Sequence, residues 1–165
     1  MYEPFTHLPN PSAAADHLDA RLADADTQRA LGGFTVLLLD IEHADAAAAQ
    51  AGKGLLDMVA WRATKLLRDS DYIASFGGDR FLVVVPQISE RETIDVVTNK
   101  LIDGLTLPYA VGADEARVTI NIGASFFARH GQDRETLLDC ADIALAASRR
   151  AGKNCACVFE DNLRG

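Results

Sequence analysis

Apolar positions in the first half of the chain alternate between helical spacing and one long continuous run. Residues 13–30 are rich in alanine, with leucines one turn apart, which predicts a helix. The uninterrupted apolar run within 32–42 follows two glycines and predicts a strand that is buried on both faces. Helix-favouring alanines over 44–51 and apolar residues at helical spacing over 55–68 then predict further helix.

A glycine pair divides the next apolar stretch into two short segments. "DYIASF" and "RFLVVVP" flank Gly77 and Gly78, a pattern that predicts a β-hairpin, and Pro86 closes its second strand. The remaining pattern predicts four elements in this order: a helix over 90–105, a strand over 116–128, a helix over 134–151 and a strand over 155–160.

This order of elements combines a hairpin with crossover connections. It predicts an α+β fold with a central, partly antiparallel sheet and helices on both faces. No internal repeat or low-complexity linker divides the chain, so residues 1–165 are predicted to form a single domain. Its core is expected over about residues 3–159, and 160–165 form a short stub that could lead to another domain.

Composition narrows the range of partners. The 165 residues carry a formal net charge of −8, which disfavours broad binding to nucleic acid or to an anionic membrane. No apolar run reaches the roughly 20 residues of a membrane span, so the cytoplasm is the expected location.

Cys155 and Cys157 alternate within an apolar stretch, which predicts one face of a strand. The four histidines are scattered and are predicted to lie on the surface or in loops.

Two aspartates are the first candidates for chemistry. Asp40 ends the predicted buried strand, and Asp79 lies at the tip of the predicted hairpin. Ligand sites gather at strand ends in such sheets, and two converging carboxylates would suit magnesium carrying a nucleoside triphosphate. The alternative is that both are solvated turn residues.

Five motifs in order give the chain a resemblance to the GGDEF domain, the diguanylate cyclase family. "EPFTHLPN" resembles the family's D-x-L-T-x-L-x-N, and "LLLDIEH" resembles its D-I-D-H. "SFGGDRF" stands where R-Y-G-G-D/E-E-F belongs, and "VTINIGAS" is similar to V-T-x-S-I-G. "ADIALAASRRAGKN" resembles A-D-x-A-L-Y-x-A-K-x-x-G-R-N. The resemblance implies a fold similar to nucleotide cyclases and the polymerase palm.

The resemblance also implies chemistry and residue roles. In this family two domains face each other as a homodimer, each holding GTP, and join the two nucleotides into cyclic di-GMP. Carried over by position, the metal ligands would be Asp40, the carbonyl of Ile41, and Asp79, with Mg²⁺ bound only if a nucleoside triphosphate still binds. Arg149 and Lys153 stand at the phosphate-binding positions, with the family's lysine and arginine exchanged.

The signature itself is altered. Its remnant here is Gly77, Gly78, Asp79, Arg80 and Phe81, with Arg80 in place of the catalytic glutamate. Reversing one unit charge at about 4 Å is worth on the order of 4 kcal/mol at an effective dielectric of 20, which is large beside the roughly 1.4 kcal/mol of a tenfold rate step. We therefore expect no catalytic residue to remain functional.

The guanine-reading region is altered as well. Alanines occupy the position of the family's asparagine, and the stretch is about four residues short. One alignment places Gly52 and Lys53 at the final Gly-Asp, whereas another retains Asp57 and moves the gap into the following helix. In both alignments the asparagine is lost, so GTP binding is expected to be weak or absent. A further departure is Pro11 in place of an arginine, which either loosens the N-terminal turn or is harmless.

A second site of the same family is a candidate to be retained in this chain. Arg68 and Asp71 form R-x-x-D at the spacing of the family's inhibitory site, where cyclic di-GMP binds. A guanidinium can pair with phosphate or with the guanine edge, and a carboxylate can accept from guanine N–H groups. A second basic group would come from Lys100 or Arg91. The alternative is an exposed ion pair at a helix end.

These observations favour a degenerate GGDEF domain that binds cyclic di-GMP or regulates a partner. A weakly active diguanylate cyclase and an interaction module that binds no nucleotide are the alternatives. Expected partners are cyclic di-GMP and other signalling proteins, or a tethered EAL or sensory domain.

Overall fold

A computed structural model describes residues 7–164 of the chain. Within these residues, six helices and seven strands follow the predicted order, with one predicted helix divided in two and one additional hairpin. The helices are α1 Pro11–Leu22, α2 Ala25–Ala30, α3 Ala46–Ala51, α4 Lys53–Leu66, α5 Arg91–Leu105 and α6 Arg134–Ala151, followed by a 3-10 turn at Asp161–Arg164. The strands are β1 Phe34–His43, β2 Tyr72–Ser75, β3 Arg80–Pro86, β4 Tyr109–Val111, β5 Asp114–Ala116, β6 Val118–Phe127 and β7 Cys155–Val158.

Five strands form the central sheet in the order β2-β3-β1-β6-β7. The central strand β1 runs antiparallel to both β3 and β6, whereas β7 runs parallel to β6. The α+β fold and the partly antiparallel sheet are therefore confirmed. The remaining two strands, β4 and β5, form a separate small hairpin.

Helices cover both faces of the sheet. Leu37 and Leu39 of β1 pack in the cluster that contains residues of α3, α4 and α5. Val36 and Leu38 point to the other face and pack against α1 and α6. Because successive strand residues alternate between faces, a strand covered on both sides has to be apolar throughout. This explains the continuous run that the sequence shows in β1.

The helix predicted over 13–30 is divided into α1 and α2. Asp24 leaves the helical conformation at φ −118° and ψ 57°, and α2 buries none of its residues. In α2 the small side chain of Ala25 packs against the core but is only partly buried, so little packing keeps the helix continuous. At the start of α1, the Asn10 side chain accepts a hydrogen bond from the Ala13 amide at 2.9 Å, and Pro11 occupies the first turn. Proline suits this position because it has no amide hydrogen to satisfy.

The strand predicted over 116–128 begins at Val118, and the preceding residues belong to the β4–β5 hairpin. Each strand of that hairpin has three residues, too few for a period-two pattern to be recognised. Gly112 connects them at φ +61°, a conformation that favours glycine.

Within residues 7–164, no helix is long and apolar enough to cross a membrane.

One histidine corrects the prediction that all four lie on the surface or in loops, because His17 is partly buried in a helix; His130 lies in a turn, as predicted, but is also partly buried. His17 of α1 is partly buried and stacks on Tyr72 at 3.7 Å between ring centroids. Burial and the nearby Arg21 lower the pKa of His17 to about 4. His130 stacks on Phe126, and its Nδ1 accepts the Phe126 amide hydrogen at 2.9 Å. Burial likewise lowers the pKa of His130. Both side chains are thus stabilised in their neutral form.

The domain should lose stability as the pH falls from about 7 to about 5. A depressed histidine pKa means that the unfolded chain takes up protons below about pH 6.5 while the folded chain does not. Protonation therefore favours unfolding over this window. We expect the melting temperature of the His17→Gln variant to fall less than that of the wild type between these two pH values, as measured by circular dichroism. The exposed His43 supplies a control, His43→Gln, whose melting temperature should follow the wild-type curve. An equal fall in the His17 variant would contradict the prediction.

Candidate functional site

The hairpin tip is built by two glycines and is open to solvent. Gly77 and Gly78 have φ +89° and +55°, and a Cβ added at either would meet nothing within 4 Å. The glycines are therefore required by backbone conformation and not by close packing. The Arg80 amide donates to the Gly77 carbonyl at 3.1 Å, which closes the turn, and Asp79 is exposed at its end. The predicted hairpin and the placement of Asp79 are both present.

The hairpin tip lies beside Asp40 and Ile41 of β1, as the sequence predicted, but Asp40 does not end the strand, because β1 continues to His43 along β6. The Ile41 amide donates to the Asp79 carbonyl at 3.0 Å. Asp40 is paired directly with Arg80 across the β1–β3 ladder. The structure thus brings together Asp40, Ile41, Asp79 and Arg80, although their roles stay predictions.

Two ion pairs connect this part of the sheet to α6. Arg149 donates from Nη2 to Asp40 Oδ2, and Arg80 donates from Nη1 to Asp142 Oδ1 at 3.2 Å. The Asp40 side chain is 17% exposed, whereas that of Asp142 is 59% exposed. Asp40 is therefore paired with a cation, and Arg80 of the altered signature is paired with an anion.

These residues do not fit the divalent metal that the family resemblance implies. The carboxylate of Asp40 is already bound to Arg149, and Arg80 brings a cation to the adjoining position. Across residues 7–164, no group of three histidine, cysteine, aspartate or glutamate side chains is arranged to hold a metal ion. Because hard cations require several oxygen ligands, this donor set is poorly matched to Mg²⁺.

A polar network fixes the turn that carries Lys153. The Asn121 side chain donates to Ser148 Oγ at 2.7 Å and to the Gly152 carbonyl at 2.8 Å. Asn154, at φ +59°, accepts the Ile120 amide hydrogen at 2.9 Å. The turn after α6 is therefore tied to β6 from two sides, and Lys153 is exposed between these anchors.

Asn121 and Asp142 were not singled out from the sequence. Asp142 lies seven residues before Arg149, and that helical spacing could have placed both on one face of α6. Asn121 gave no such signal, because a single polar residue in a strand does not reveal its partner.

The R-x-x-D pair is not an exposed helix-end pair. The Asp71 side chain is 2% exposed, and Arg68 is 47% exposed. Asp71 Oδ1 accepts from Arg68 Nε at 3.1 Å and from Nη2 at 2.8 Å, while Oδ2 accepts the Arg68 amide hydrogen at 2.8 Å. Arg68 also donates to the Pro86 carbonyl at 3.0 Å. Because α4 ends at Leu66, the pair orders the loop that leads into β2.

Arg68 and Asp71 line a depression of about 160 Å³ between α4 and α5. Lys100 lines the same depression, together with apolar side chains that include Val96 and Leu67. The alternative basic residue, Arg91, instead pairs with Glu160 at 2.5 Å. Of the two candidates named from the sequence, Lys100 is the one that the fold brings to Arg68 and Asp71.

The segment that corresponds to the family's guanine-reading region contains a break between two helices and a carboxylate with one buried oxygen. Ala48 is buried in α3, and Gly52, at φ +54°, separates α3 from α4, which begins at the exposed Lys53. Asp57 borders two adjoining depressions of about 300 and 510 Å³, both lined by Trp61. Within the described part of the chain, the buried Oδ1 of Asp57 has no hydrogen-bond partner. A polar group thus remains at this surface even though the asparagine is absent.

The strand order and the glycine hairpin beside β1 define an α+β domain with a central, mostly antiparallel sheet. The family model of the diguanylate cyclase GGDEF domain matches residues 1–155. The chain therefore belongs to the GGDEF family.

Two curated relatives come from Pseudomonas aeruginosa. The bifunctional diguanylate cyclase/cyclic di-GMP phosphodiesterase MucR is 32% identical over 171 residues, covering 99% of this chain and 24% of MucR. The cyclic di-GMP phosphodiesterase NbdA is 31% identical over 135 residues, covering 79% of this chain and 17% of NbdA. The chain thus spans about a quarter or less of these relatives' length, and the relatives include both cyclases and phosphodiesterases of cyclic di-GMP signalling.

Two solved structures share the fold. A structure of YfiN (TpbB) from P. aeruginosa that comprises only its GGDEF domain has a TM-score of 0.84 at 22% identity, covering 99% of this chain and 97% of that chain. The GGDEF domain of DgcB from Caulobacter crescentus, solved in complex with c-di-GMP, has a TM-score of 0.79 at 20% identity, covering 97% and 93%.

Proposed function

We propose that this chain is a catalytically silent GGDEF domain that binds cyclic di-GMP as a receptor or regulatory module. The observation that carries the proposal is the depression that contains Arg68, Asp71 and Lys100. It lies at the opposite end of the β2–β3 hairpin from Arg80, because Asp71 precedes β2 and Arg80 follows the tip. Loss of the catalytic signature therefore leaves this depression intact.

The chemistry of the depression suits a cyclic dinucleotide. Arg68 uses part of its guanidinium on Asp71 and Pro86, and nearly half of its side chain stays exposed. A planar guanidinium held in place by a buried carboxylate is ordered before the ligand arrives, which reduces the entropy lost on binding. Lys100 supplies a second positive charge for a ligand that carries two phosphates. Apolar side chains around these groups provide a surface for a base.

Isothermal titration calorimetry with cyclic di-GMP tests the proposal. We expect binding without magnesium, which weakens as salt is added because the ligand is a dianion and the contacts are exposed. Arg68→Lys keeps the charge but loses the planar fork, and it should weaken binding roughly 5- to 150-fold. Lys100→Gln should also weaken binding, and it should leave the melting temperature unchanged because Lys100 is exposed.

The choice of variants follows from the burial of Asp71. Among residues 7–164, Arg68→Ala would leave that carboxylate with the Arg68 backbone amide as its one hydrogen-bond donor, and we expect the substitution to cost about 1–3 kcal/mol of stability. Lys65→Gln removes an exposed charge on α4 outside the depression and is the matched control. Absence of any heat and of any thermal shift with cyclic di-GMP would overturn receptor function.

A weakly active diguanylate cyclase is the second candidate function. Asp57 Oδ1, which has no hydrogen-bond partner among the residues that the structure describes, favours it, because a carboxylate beside two depressions could accept hydrogen bonds from a base. Calorimetry with GTP and ATP, each with magnesium, distinguishes the candidates. A GTP affinity well above that for ATP, lost in Asp57→Ala, would favour the cyclase.

An interaction module that binds no nucleotide is the remaining candidate. The aligned region is only 24% of MucR, so relatives carry this module within much longer chains. We propose that a tethered EAL or sensory domain, or another signalling protein, is the partner that responds to the domain, with a homodimer as an additional assembly.

A further inference from the structure

Two cysteines project from one face of β7, at an edge of the central sheet. β7 is the last strand in the sheet order and pairs in parallel with β6. Cys155 and Cys157 alternate along it, so both side chains lie on the same face, as the sequence predicted. Both are partly exposed and neither forms a disulfide, whereas the third cysteine, Cys140 of α6, is buried. We call Cys155 and Cys157 the thiol pair.

The thiol pair faces α6. Cys157 packs in a cluster with Cys140. A Cβ placed on Gly152, directly after α6, would lie 3.9 Å from Cys155 Sγ. Ala156, between the two cysteines, packs instead in the cluster on the other face of the sheet. The two sulfur atoms therefore project side by side between the edge strand and the end of the helix.

The extended backbone of β7 limits what the thiol pair can form. Residues two apart on a strand have Cα atoms about 6.6 Å apart and parallel side chains, whereas a disulfide needs Cβ atoms about 3.5–4.5 Å apart. A disulfide would therefore pull β7 out of its pairing with Asn121 and Gly123. A metal–thiolate bond is about 2.3 Å long, so a linear sulfur–metal–sulfur unit spans about 4.6 Å and suits two side chains that lean together.

The number of ligands narrows the class of ion. In the part of the chain that the structure describes, no third histidine, cysteine, aspartate or glutamate completes a metal-binding group. Structural zinc is held by four ligands in almost every site, so two thiolates do not satisfy it. Thiolates select soft ions such as Cu(I), and this closed-shell monovalent ion accepts two ligands in a line.

The charges around Cys157 suit a complex in which both sulfurs are thiolates. Burial raises the pKa of the Cys157 thiol, and the neighbouring Cys155 raises it further, because two thiolates repel each other. A cation between the sulfurs removes that repulsion. Arg91 and Arg150 lower the same pKa, although Glu160 opposes them. One monovalent cation with two thiolates carries a single negative charge, which the two guanidinium groups stabilise.

We propose that the thiol pair binds one soft monovalent metal ion, of the class of Cu(I), in linear coordination at the edge of the sheet. Each S–H group releases its proton to solvent as its sulfur–metal bond forms. One ion thus replaces two protons, and no electron is transferred. The thiol pair shares no residue with the depression at Arg68, so the proposal is independent of cyclic di-GMP binding.

Competition with a Cu(I) chelator tests the proposal. The reduced full chain is titrated without oxygen into the coloured complex of Cu(I) with bicinchoninate, and loss of colour reports transfer of the ion. We expect one ion per chain, which excess zinc does not displace, and X-ray absorption should show two sulfur neighbours at about 2.3 Å. Failure to take Cu(I) from the chelator, or a coordination number of three or four, would overturn the proposal.

Three variants locate the bound ion. Cys155→Ser and Cys157→Ser each remove one of two ligands and should weaken Cu(I) binding at least about a hundredfold. Both positions are partly exposed, so the melting temperatures should stay near that of the wild type. Cys140→Ala removes the third thiol and should leave the affinity for Cu(I) unchanged. Equal losses in all three variants would show uptake by thiols in general and overturn the proposal, as would wild-type affinity in either serine variant.

Incubation with glutathione disulfide separates metal binding from redox pairing. Because the strand holds the two side chains too far apart, we expect no disulfide between Cys155 and Cys157 in the folded chain. Mass spectrometry of peptides from the alkylated protein is the measurement. Ready formation of that disulfide would show that β7 does not keep the spacing on which linear coordination depends, and it would overturn the proposal.

Discussion

Replacing Gly123 by alanine is expected to lower the melting temperature of the domain by about 6–12 °C or to prevent folding. Gly123 lies in β6 under α6, where an added Cβ would be 2.1 Å from the Ala141 carbonyl oxygen and 2.3 Å from the Leu145 amide nitrogen. Both neighbours are backbone atoms, so no side chain can rotate away. Overpacking against a backbone that cannot move aside costs about 3 kcal/mol or more, the upper end of the usual range, and 1 kcal/mol corresponds to about 2–4 °C in a domain of this size.

The size of this effect follows from what Gly123 holds together. Leu137, Ala141 and Leu145 of α6 are buried against the same face of the sheet. Moving α6 outward to admit a methyl group would open that cluster along its length. Such a loss is a large share of the 5–15 kcal/mol that stabilises a typical domain.

Gly54→Ala is the matched control. Gly54 lies in α4, and a Cβ there would meet nothing within 4 Å. Alanine favours helix over glycine by nearly 1 kcal/mol, so this variant should melt at the wild-type temperature or slightly above it. Thermal unfolding followed by circular dichroism compares the two variants. Equal melting temperatures would show that α6 does not approach β6 as closely as the structure indicates.

The regular elements were predictable because their patterns are local. The continuous apolar run of β1 and the glycine pair before Arg80 each indicate their structure within about ten residues. The close approach at Gly123 was not predictable, since it depends on α6, whose contacting residues lie about twenty positions away. The β4–β5 hairpin was also missed, because three-residue strands carry too little pattern.

For the candidate site, as for the fold, the sequence predicted the positions of the residues but not their long-range contacts. Strand ends placed Asp40 near Asp79, and the family spacing located Arg68 and Asp71. The sequence could not show that Arg149 binds Asp40 or that Asp142 binds Arg80, because these pairs span 109 and 62 residues. It also could not show the burial of Asp71, which changes Arg68 from a surface charge into an ordered part of the loop.

Incubation of the domain with GTP and magnesium is expected to yield no cyclic di-GMP above a control without protein. Three features oppose turnover together. Arg80 replaces the signature carboxylate, Asp40 is bound by Arg149, and alanines occupy the region where the family's base-reading asparagine would stand. We expect the reversed charge and the absent base contact each to lower the rate more than tenfold, because each is worth more than about 1.4 kcal/mol.

Arg80→Glu should fail to restore synthesis. The new carboxylate would lie opposite Asp40 and lose the pairing with Asp142, so we expect the melting temperature to fall by about 2–4 °C. Added magnesium should recover part of that loss in the variant and none in the wild type, because only the variant gathers enough carboxylate oxygens for a hard cation. The base region is unchanged in this variant, so nucleotide selection remains impaired.

The Asp79→Ala variant distinguishes a complete absence of cyclic di-GMP synthesis from slow synthesis. Asp79 is exposed, and its described hydrogen bond to Ile41 uses the backbone carbonyl, so the substitution should leave the fold intact. Product analysis by chromatography over long incubations is the measurement. If the wild type forms cyclic di-GMP and Asp79→Ala abolishes it, the hairpin tip still contributes to catalysis and silence is contradicted. If neither protein forms product while cyclic di-GMP binds at Arg68 and Lys100, the domain detects the dinucleotide without making it. The two properties can be separated because the binding depression and the altered signature lie at opposite ends of one hairpin.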